Sequence, residues 1–419
     1  MSTAALAEPQ LDDALPLDAA YDVLRRHLRT VHGTEIVGLG DVADRVVTTA
    51  VRSRLPLPPF DHSAVDGYGL SAADMKSGSR VTIVGRGVAG SPFAGPEIGA
   101  RQCVYLATGT PIPPGVASVV MHERTKRSGD AVTLLEDGRP GHNIRRAGED
   151  VEADAIIVPG NTLADYRHVA ILASAGNESA EVRRRIRVGL VSTGDEVRPQ
   201  SEDLEPGQIY DVNGPMLEAL LRRNFIEARR LAQVPDDRDQ LTQMFARAAP
   251  ELDVLITTGG AAGSDTDHIE ASIAAAGGTS THLRLALRPG KPIIIGRVET
   301  CLVLGLPGNP LAALANFLLF ARPAILATAG MILSRPRGHR VILAQDLPHK
   351  AGRTEFAPAR IVGYAEDGRA IAEKMGRGGS ARLRPLAESE GFLEVPGDYG
   401  DIPAGHPVQF HPFSASFAP

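Results

Sequence analysis

Apolar positions along the chain change their period several times, and each change marks a different kind of packing. Residues 18–28 place Ala20, Val23, Leu24 and His27 at helical spacing, and residues 41–46 predict a further turn. From Pro56 the helical period gives way to short apolar runs at 81–84, 103–106, 119–121 and 131–135, separated by Gly and Pro. Such runs predict a compact all-β module ending near Gly141. Helical patterning returns over 165–175, so the β module reads as an insertion into a helical one.

Farther on, strand-like runs at 186–193, 229–234 and 254–258 alternate with helical stretches at 216–223 and 238–248. Two more apolar runs, 293–295 and 301–304, read as strands, and 311–320 reads as a helix. This alternation predicts an α/β domain built on a parallel, doubly wound sheet over roughly 182–327. Ligands of such sheets gather outside the carboxyl ends of the strands. Beyond Pro336, runs at 341–344, 359–362, 392–395 and 408–410 predict a small β-barrel or sandwich. The expected fold is multidomain α/β. A helical linking domain is assembled from 11–50 and 142–177, an inserted β domain spans 51–141, the α/β domain 178–330, and a C-terminal β-barrel domain 335–419.

Composition narrows the partners. A chain of 419 residues exceeds one ordinary core, at roughly 100–200 residues per domain. Net charge of -6 with 22% charged residues excludes the broad basic patch that nucleic acid requires, so any polyanion must be held locally. Cys103 and Cys301 lie in strand-like apolar runs and read as inert core thiols, too few for a disulfide framework or a zinc site. A secretory leader is not expected, because Glu8, Asp12 and Asp13 precede the first cation, Arg25. The apolar stretch 311–333 is interrupted by Asn316, Arg322 and Pro323, which favours a core helix over a membrane span. The expected setting is the cytoplasm.

Candidate chemistry collects at strand ends. Arg288-Pro-Gly-Lys-Pro292 and Gly305-Leu-Pro-Gly-Asn-Pro310 put cations beside a turn that opens a helix, with Asn309 as N-cap and Pro310 at the first helical position. Free N–H groups there accept an anion. The helix end contributes only ~0.3–1 kcal/mol at exposed sites, so Arg288 and Lys291 must supply much of the remaining affinity. Period-two spacing along 283–287 sets Arg284 and Arg288 on one strand face, as a generic surface strand also would. Ser192-Thr-Gly-Asp-Glu196, followed by Asp211 and Asn213, offers carboxylates suited to magnesium, with helix capping as the alternative reading. Thr257-Thr-Gly-Gly260 leads into Ser264 and Asp267, where Asp267 also fits a capping box. Asp236 and Asp237 precede a helix and read most simply as caps. In the inserted module, Phe60-Asp-His-Ser-Ala-Val-Asp-Gly-Tyr68 and Thr108-Gly-Thr-Pro111 cluster polar groups in loops. No Ser/His/Asp triad or cysteine nucleophile context is present.

These motifs, with Ile144-Arg-Arg-Ala-Gly-Glu-Asp150 and Ile209-Tyr-Asp211, resemble in order those of the MoeA/gephyrin E-domain family of molybdopterin molybdenumtransferases. The resemblance covers nearly the whole chain. It implies a homodimer of four-domain subunits, whose α/β domain binds molybdopterin and whose inserted β domain completes the partner's cleft. The implied reaction inserts molybdate into adenylylated molybdopterin with Mg2+ and releases AMP.

By the same resemblance, Glu196, Asp236, Asp267, Lys291, Asp66 and Thr108 are catalytic, and Asp195, Glu196 and Asp267 hold the metal. Pterin and oxyanion contacts fall to Thr193, Gly194, Asp211, Gly259, Gly260, Ser264, Arg284, Arg288, Pro292, Pro307, Gly308, Asn309 and Pro310, with Arg353 and Ser380 from the last domain. Two departures stand out: Ala262 and Ala312 replace serines that the family associates with the molybdate pocket. Each lost charge-assisted hydrogen bond is worth ~1.5–3 kcal/mol. Two alternatives therefore accompany the transferase reading: a paralogue that carries the pterin without inserting metal, and a dimeric scaffold. Other proteins of cofactor biosynthesis are the expected protein partners.

Overall fold

The computed structural model describes residues 14–260, 268–376 and 382–414. The chain forms two compact units, one of residues 36–43 and 49–181, the other of 1–35, 44–48 and 182–419.

The first unit holds a six-stranded sheet in the order Ser118–Met121, Gly67–Leu70, Gln102–Leu106, Arg80–Gly87, Ala131–Leu134, Thr125–Ser128. Its core is Tyr68, Leu70, Val81, Cys103, Val120, Val132 and Leu134. The helix Tyr166–Ser174 starts at Asp165, whose carboxylate accepts from the backbone of Arg167 and His168 while the His168 ring bonds back to the Asp165 backbone, a reciprocal cap.

In the second unit we number the α/β strands β1 (Ile186–Ser192), β2 (Ile226–Arg230), β3 (Val254–Thr258), β4 (Thr279–Arg284), β5 (Pro292–Val298) and β6 (Cys301–Leu306). The sheet order is β2-β1-β3-β6-β5-β4. Strands β2, β1, β3 and β6 are mutually parallel, and β5 runs antiparallel to both its neighbours. The expected parallel sheet is thus corrected at one strand. Only Glu299 and Thr300 join β5 to β6, and Glu299 adopts φ 51°. A two-residue link makes a hairpin, whereas a parallel crossover needs a dozen residues or more.

Helix Arg238–Ala248 is capped by Asp237, which accepts from Gln240 N at 2.8 Å. It buries Leu241 and Phe245, one turn apart, against Leu255, Ile269, Ile273, Ile294 and Val303. Truncating Phe245 to Ala there would cost about 3–5 kcal/mol.

The helical stretch Pro310–Thr328 is long and apolar enough to span a membrane, and 83% of it is buried inside the fold. Its middle, Phe317–Ala321, winds as a π-helix just before Pro323. Pro323 has no N–H to give the Leu319 carbonyl four residues earlier. The hydroxyl of Tyr21, on helix Leu17–His27, donates to that carbonyl instead. Burial is the main cause that pushes the Tyr21 phenol above its ordinary pKa, which keeps it a donor. Burial likewise pushes the thiols of Cys103 and Cys301 up to about 12, so both are inert core groups.

The last strands, β7 (His339–Leu343), β8 (Thr354–Tyr364), β9 (Ala370–Lys374), β10 (Gly391–Val395) and β11 (Pro407–Pro412), form a barrel closed by pairing of β8 with β10. The two-residue strand Leu287–Arg288 joins this sheet, parallel to β8, with Arg288 opposite Glu355. Arg284 ends β4 opposite Pro292. The two arginines therefore lie on different sheets, contrary to the single face expected from their spacing. The chain leaves β4 at Leu285, whose N–H donates to Lys291 O, and Ala286 pairs with Leu15 instead.

Candidate functional site

Three strand ends of the α/β sheet run side by side. Thr193 N donates to Thr258 O at 2.8 Å, and Gly259 N donates to Leu306 O at 3.2 Å. Gly259 has φ 98°, and a Cβ there would fall 2.5 Å from Thr193 O, so only glycine lets these loops close on one another. On the other side of Gly259, its Cα would lie 3.5 Å from a Cβ on Gly308. The Asn213 amide, 7% exposed, donates to Gly308 O at 2.7 Å. Thr193, Gly194, Gly259, Gly260, Pro307, Gly308, Asn309 and Pro310 thus share one edge of the sheet. Asn309 occupies the N-cap position, with Pro310 the first helical residue, and its carbonyl accepts from Ala313 N at 2.8 Å.

The acidic groups divide by role. Asp211 is buried, accepting from Ser192 Oγ at 2.6 Å, Arg230 Nη2 at 2.6 Å and Gly214 N at 2.8 Å. Its carboxylate locks the turn before helix Asn213–Leu221. Asp195 and Glu196 are exposed, and Asp195 Oδ1 accepts from Asp236 N at 3.1 Å. These three residues therefore cluster at the ends of β1 and the segment after β2. Among the described residues no group of three or more His, Cys, Asp or Glu is placed to hold a metal on protein ligands alone. Exposed carboxylates with open lone pairs do suit magnesium, which takes one or two carboxylates and keeps water on its remaining positions.

The cations gather next to this edge. Lys291, Arg288, Arg353, Lys374 and Arg382 line a cavity of about 350 Å³ between the Arg288–Pro292 turn and the barrel. Glu355, 5% exposed, is the carboxylate in its wall, 2.6 Å from Lys374 Nζ and 3.6 Å from Arg288 Nη1. The turn is held from behind by Asn316, fully buried in the apolar helix, whose Nδ2 donates to Gly290 O and Pro292 O, each at 3.3 Å. Those carbonyls flank Lys291. Gly290 has φ 100°, and a Cβ would meet Asn316 Nδ2 at 2.9 Å, so glycine is required where the turn rests on that amide.

In the inserted unit, Asp66 Oδ1 accepts from both Thr108 N and Thr108 Oγ1 at 2.7 Å. Those bonds, the backbone one first, hold the Asp66 carboxyl below the usual carboxylate range. In the same loop Asp61 accepts from Ala147 N and Arg146 Nη1, which ties two of the motifs together. Ser264, Asp267 and Ser380, with Ala262, lie outside the described residues. Ala312 is buried one residue beyond Leu311, which lines the basic cavity.

The sequence reading missed Asn316, Glu355, Lys374 and the side-chain role of Asn213. A polar amide inside an otherwise apolar helix was the available signal for Asn316, because buried amides need partners.

Models of three known regions tile the chain: the MoeA N-terminal region, domains I and II, at residues 15–176; a probable molybdopterin binding domain at 189–327; and the MoeA C-terminal region, domain IV, at 340–413. The molybdopterin molybdenumtransferase of Haemophilus influenzae is 30% identical over 96% of this chain and 99% of its own length. That of Bacillus subtilis is 30% identical over 94% and 93%. The crystal structure of the molybdopterin biosynthesis MoeA protein from Pyrococcus horikoshii OT3 superposes with a TM-score of 0.79 at 27% identity, covering 96% of this chain and all of that one. With matching regions in the same order and relatives aligned nearly end to end, the chain belongs to the MoeA family of molybdopterin molybdenumtransferases and acts in molybdenum cofactor biosynthesis.

Proposed function

We propose that the chain inserts molybdate into adenylylated molybdopterin, with magnesium, and releases AMP. The observation that supports this reading is the basic cavity at the Arg288–Pro292 turn, on the same α/β sheet whose packed strand ends carry the exposed carboxylates. Lys291, Arg288 and Arg353 hold the oxyanion, and Arg284 with the N–H groups opening helix Pro310–Asn316 holds phosphate. Glycines at 259, 260 and 308 let the pterin diphosphate approach the backbone. Asp195, Glu196 and Asp236, with Asp267, would hold magnesium, which when bound neutralises charge on the phosphoryl oxygens. Asp211 keeps the Gly308 loop in register through Asn213. The working form is a cytoplasmic homodimer of four-domain subunits, in which the inserted domain of a second copy brings Asp66 and Thr108 to the cleft. Asp66, held ionised by its bonds to Thr108, brings a hydrogen-bond acceptor and a negative charge to that cleft.

The test is AMP release from adenylylated pterin with molybdate and magnesium. Turnover sustains the reading, and an intact nucleotide alongside an active relative refutes it. Ala312, buried beside the cavity with no hydroxyl, favours a second reading, a carrier that binds pterin without inserting metal. For that carrier, restoring Ala262→Ser and Ala312→Ser together raises molybdate-dependent turnover. Unchanged turnover counts against it.

A further inference from the structure

On the far side of Phe356 from the basic cavity lies a second cavity, about 440 Å³, between the π-helical turn and the outer face of the barrel. Phe356 lines both cavities. Its volume lies within the range of small-molecule sites. π-Helical turns are frequent at functional sites, and here the turn supplies Phe317 and Leu319 to one wall. The opposite wall is an edge-to-face ladder of rings. Phe356 and Phe392 stand 6.3 Å apart at 88°, and Phe392 and Phe413 stand 4.9 Å apart at 86°.

The polar part of the lining is one-sided. Arg223, Arg322 and Arg337 border the cavity together with His411 and Ser414, and among the described residues no carboxylate lines it. Arg223 is already paired with Asp44 at 2.6 Å. The side chains of Arg322 and Arg337 make no hydrogen bond or ion pair among the described residues. Part of Arg322 stays in solvent, yet burial of its head, and then the charge of Arg223, hold its pKa below the ordinary arginine value. Three guanidiniums border one cavity and Asp44, the acid acting on Arg322, is already bonded to Arg223, so the lining keeps net positive charge that an anion stabilises. A bare inorganic ion would leave the rings wet, and a neutral aromatic would leave the guanidiniums unpaired and partly desolvated.

We propose that this cavity is a second binding site, taking a small aromatic anion: one ring seated on Phe317, Phe392 and Phe413, and a carboxylate or phosphate head on Arg322 and Arg337. The site is separate from the pterin cleft and does not depend on the insertion chemistry.

The chain contains no Trp, so Phe413→Trp in the full-length protein gives a single emission reporter at the cavity. Phenyl phosphate, benzoate, phenol and inorganic phosphate are titrated against it, and phenyl phosphate and benzoate are checked by calorimetry on the unaltered protein. The expected result is saturable binding of phenyl phosphate or benzoate, with phenol and inorganic phosphate at least ~10-fold weaker, and a ~10-fold loss in R322Q, about 1.4 kcal/mol. R337Q, at an exposed position, gives the same direction should R322Q fold poorly. The ranking of benzoate against phenyl phosphate identifies the head group. Phenol binding as tightly as the anions overturns the site. So does a signal abolished by K291A and kept in both arginine variants, which assigns binding to the pterin cleft, and so does the absence of saturable binding.

Discussion

Asn316→Ala removes a side chain that holds both carbonyls beside Lys291. Its Nδ2 donates to Gly290 O and Pro292 O at 3.3 Å each, and the residue is wholly buried. Bonds of that length are weak, about 0.5–1.5 kcal/mol net apiece, and a carbonyl left buried without a donor costs about 1–3 kcal/mol. Asn316 Oδ1 itself has no hydrogen-bond partner, so its removal returns part of the loss. The expected net destabilisation is therefore about 1–3 kcal/mol. The larger effect falls on the cleft, because the turn carrying Lys291 loses its rear support and oxyanion affinity drops ~10-fold, the change that 1.4 kcal/mol produces. Asn316→Leu, which keeps the branched outline of Asn but is larger and cannot donate, separates the lost donor from the cavity that Ala leaves. Asn316→Asp behaves distinctively: a buried carboxyl facing two carbonyls is favoured only when protonated, so binding recovers as pH falls. Scanning calorimetry reads the first, domain-level transition, and titration with molybdate reads the affinity. Unchanged oxyanion affinity in both Asn316→Ala and Asn316→Leu would refute the clamp.

Thr108→Val removes the side-chain bond to Asp66 and keeps the backbone one, so the depressed Asp66 pKa rises toward the ordinary carboxylate value. The acid limb of the pH–rate profile then moves to higher pH; an unmoved limb means that Asp66 is not the titrating group. Asp253 bonds Arg184 at 2.7 Å and Arg187 at 3.2 Å. Burial opposes its ionisation, but those arginine bonds more than offset this and hold its pKa below the unfolded value. Its contribution is therefore present above the ordinary carboxylate range and lost as pH falls through that range to the folded pKa. Asp253→Asn costs about 1–2 kcal/mol at neutral pH, discounted because both arginines are a third exposed. Denaturant midpoints that differ equally at neutral and strongly acid pH would contradict that linkage.

Much of this architecture is legible in the hydrophobic pattern. The runs at 254–258 and 238–248 coincide with β3 and with helix Arg238–Ala248, because uninterrupted burial and a side-chain cap both leave marks in sequence. Runs at 341–344 and 392–395 likewise locate barrel strands. Elements set by distant partners are harder to read. Arg284 and Arg288 have the spacing of one strand, and their separation depends on Ala286 pairing with Leu15 and on Arg288 facing Glu355. The short link at Glu299 and Thr300 did carry the information that β5 turns back, since no crossover fits in two residues. Glycine-rich loops announced the strand ends, and the amide inside an apolar helix announced that Asn316 needs a partner, but nothing local tells which remote loop Asn213 or Asn316 braces.

The two-residue strand Leu287–Arg288 makes the barrel and the α/β sheet mechanically inseparable at the cation cluster. A chain cut near residue 330 would strip that strand of its neighbour and release Arg288 from Glu355. Grafting the barrel of a relative onto this α/β domain must therefore preserve a graft partner at Thr354 and Glu355, or the Lys291 turn loses its shape. Any tilt of the barrel would therefore act directly on the turn that carries Lys291.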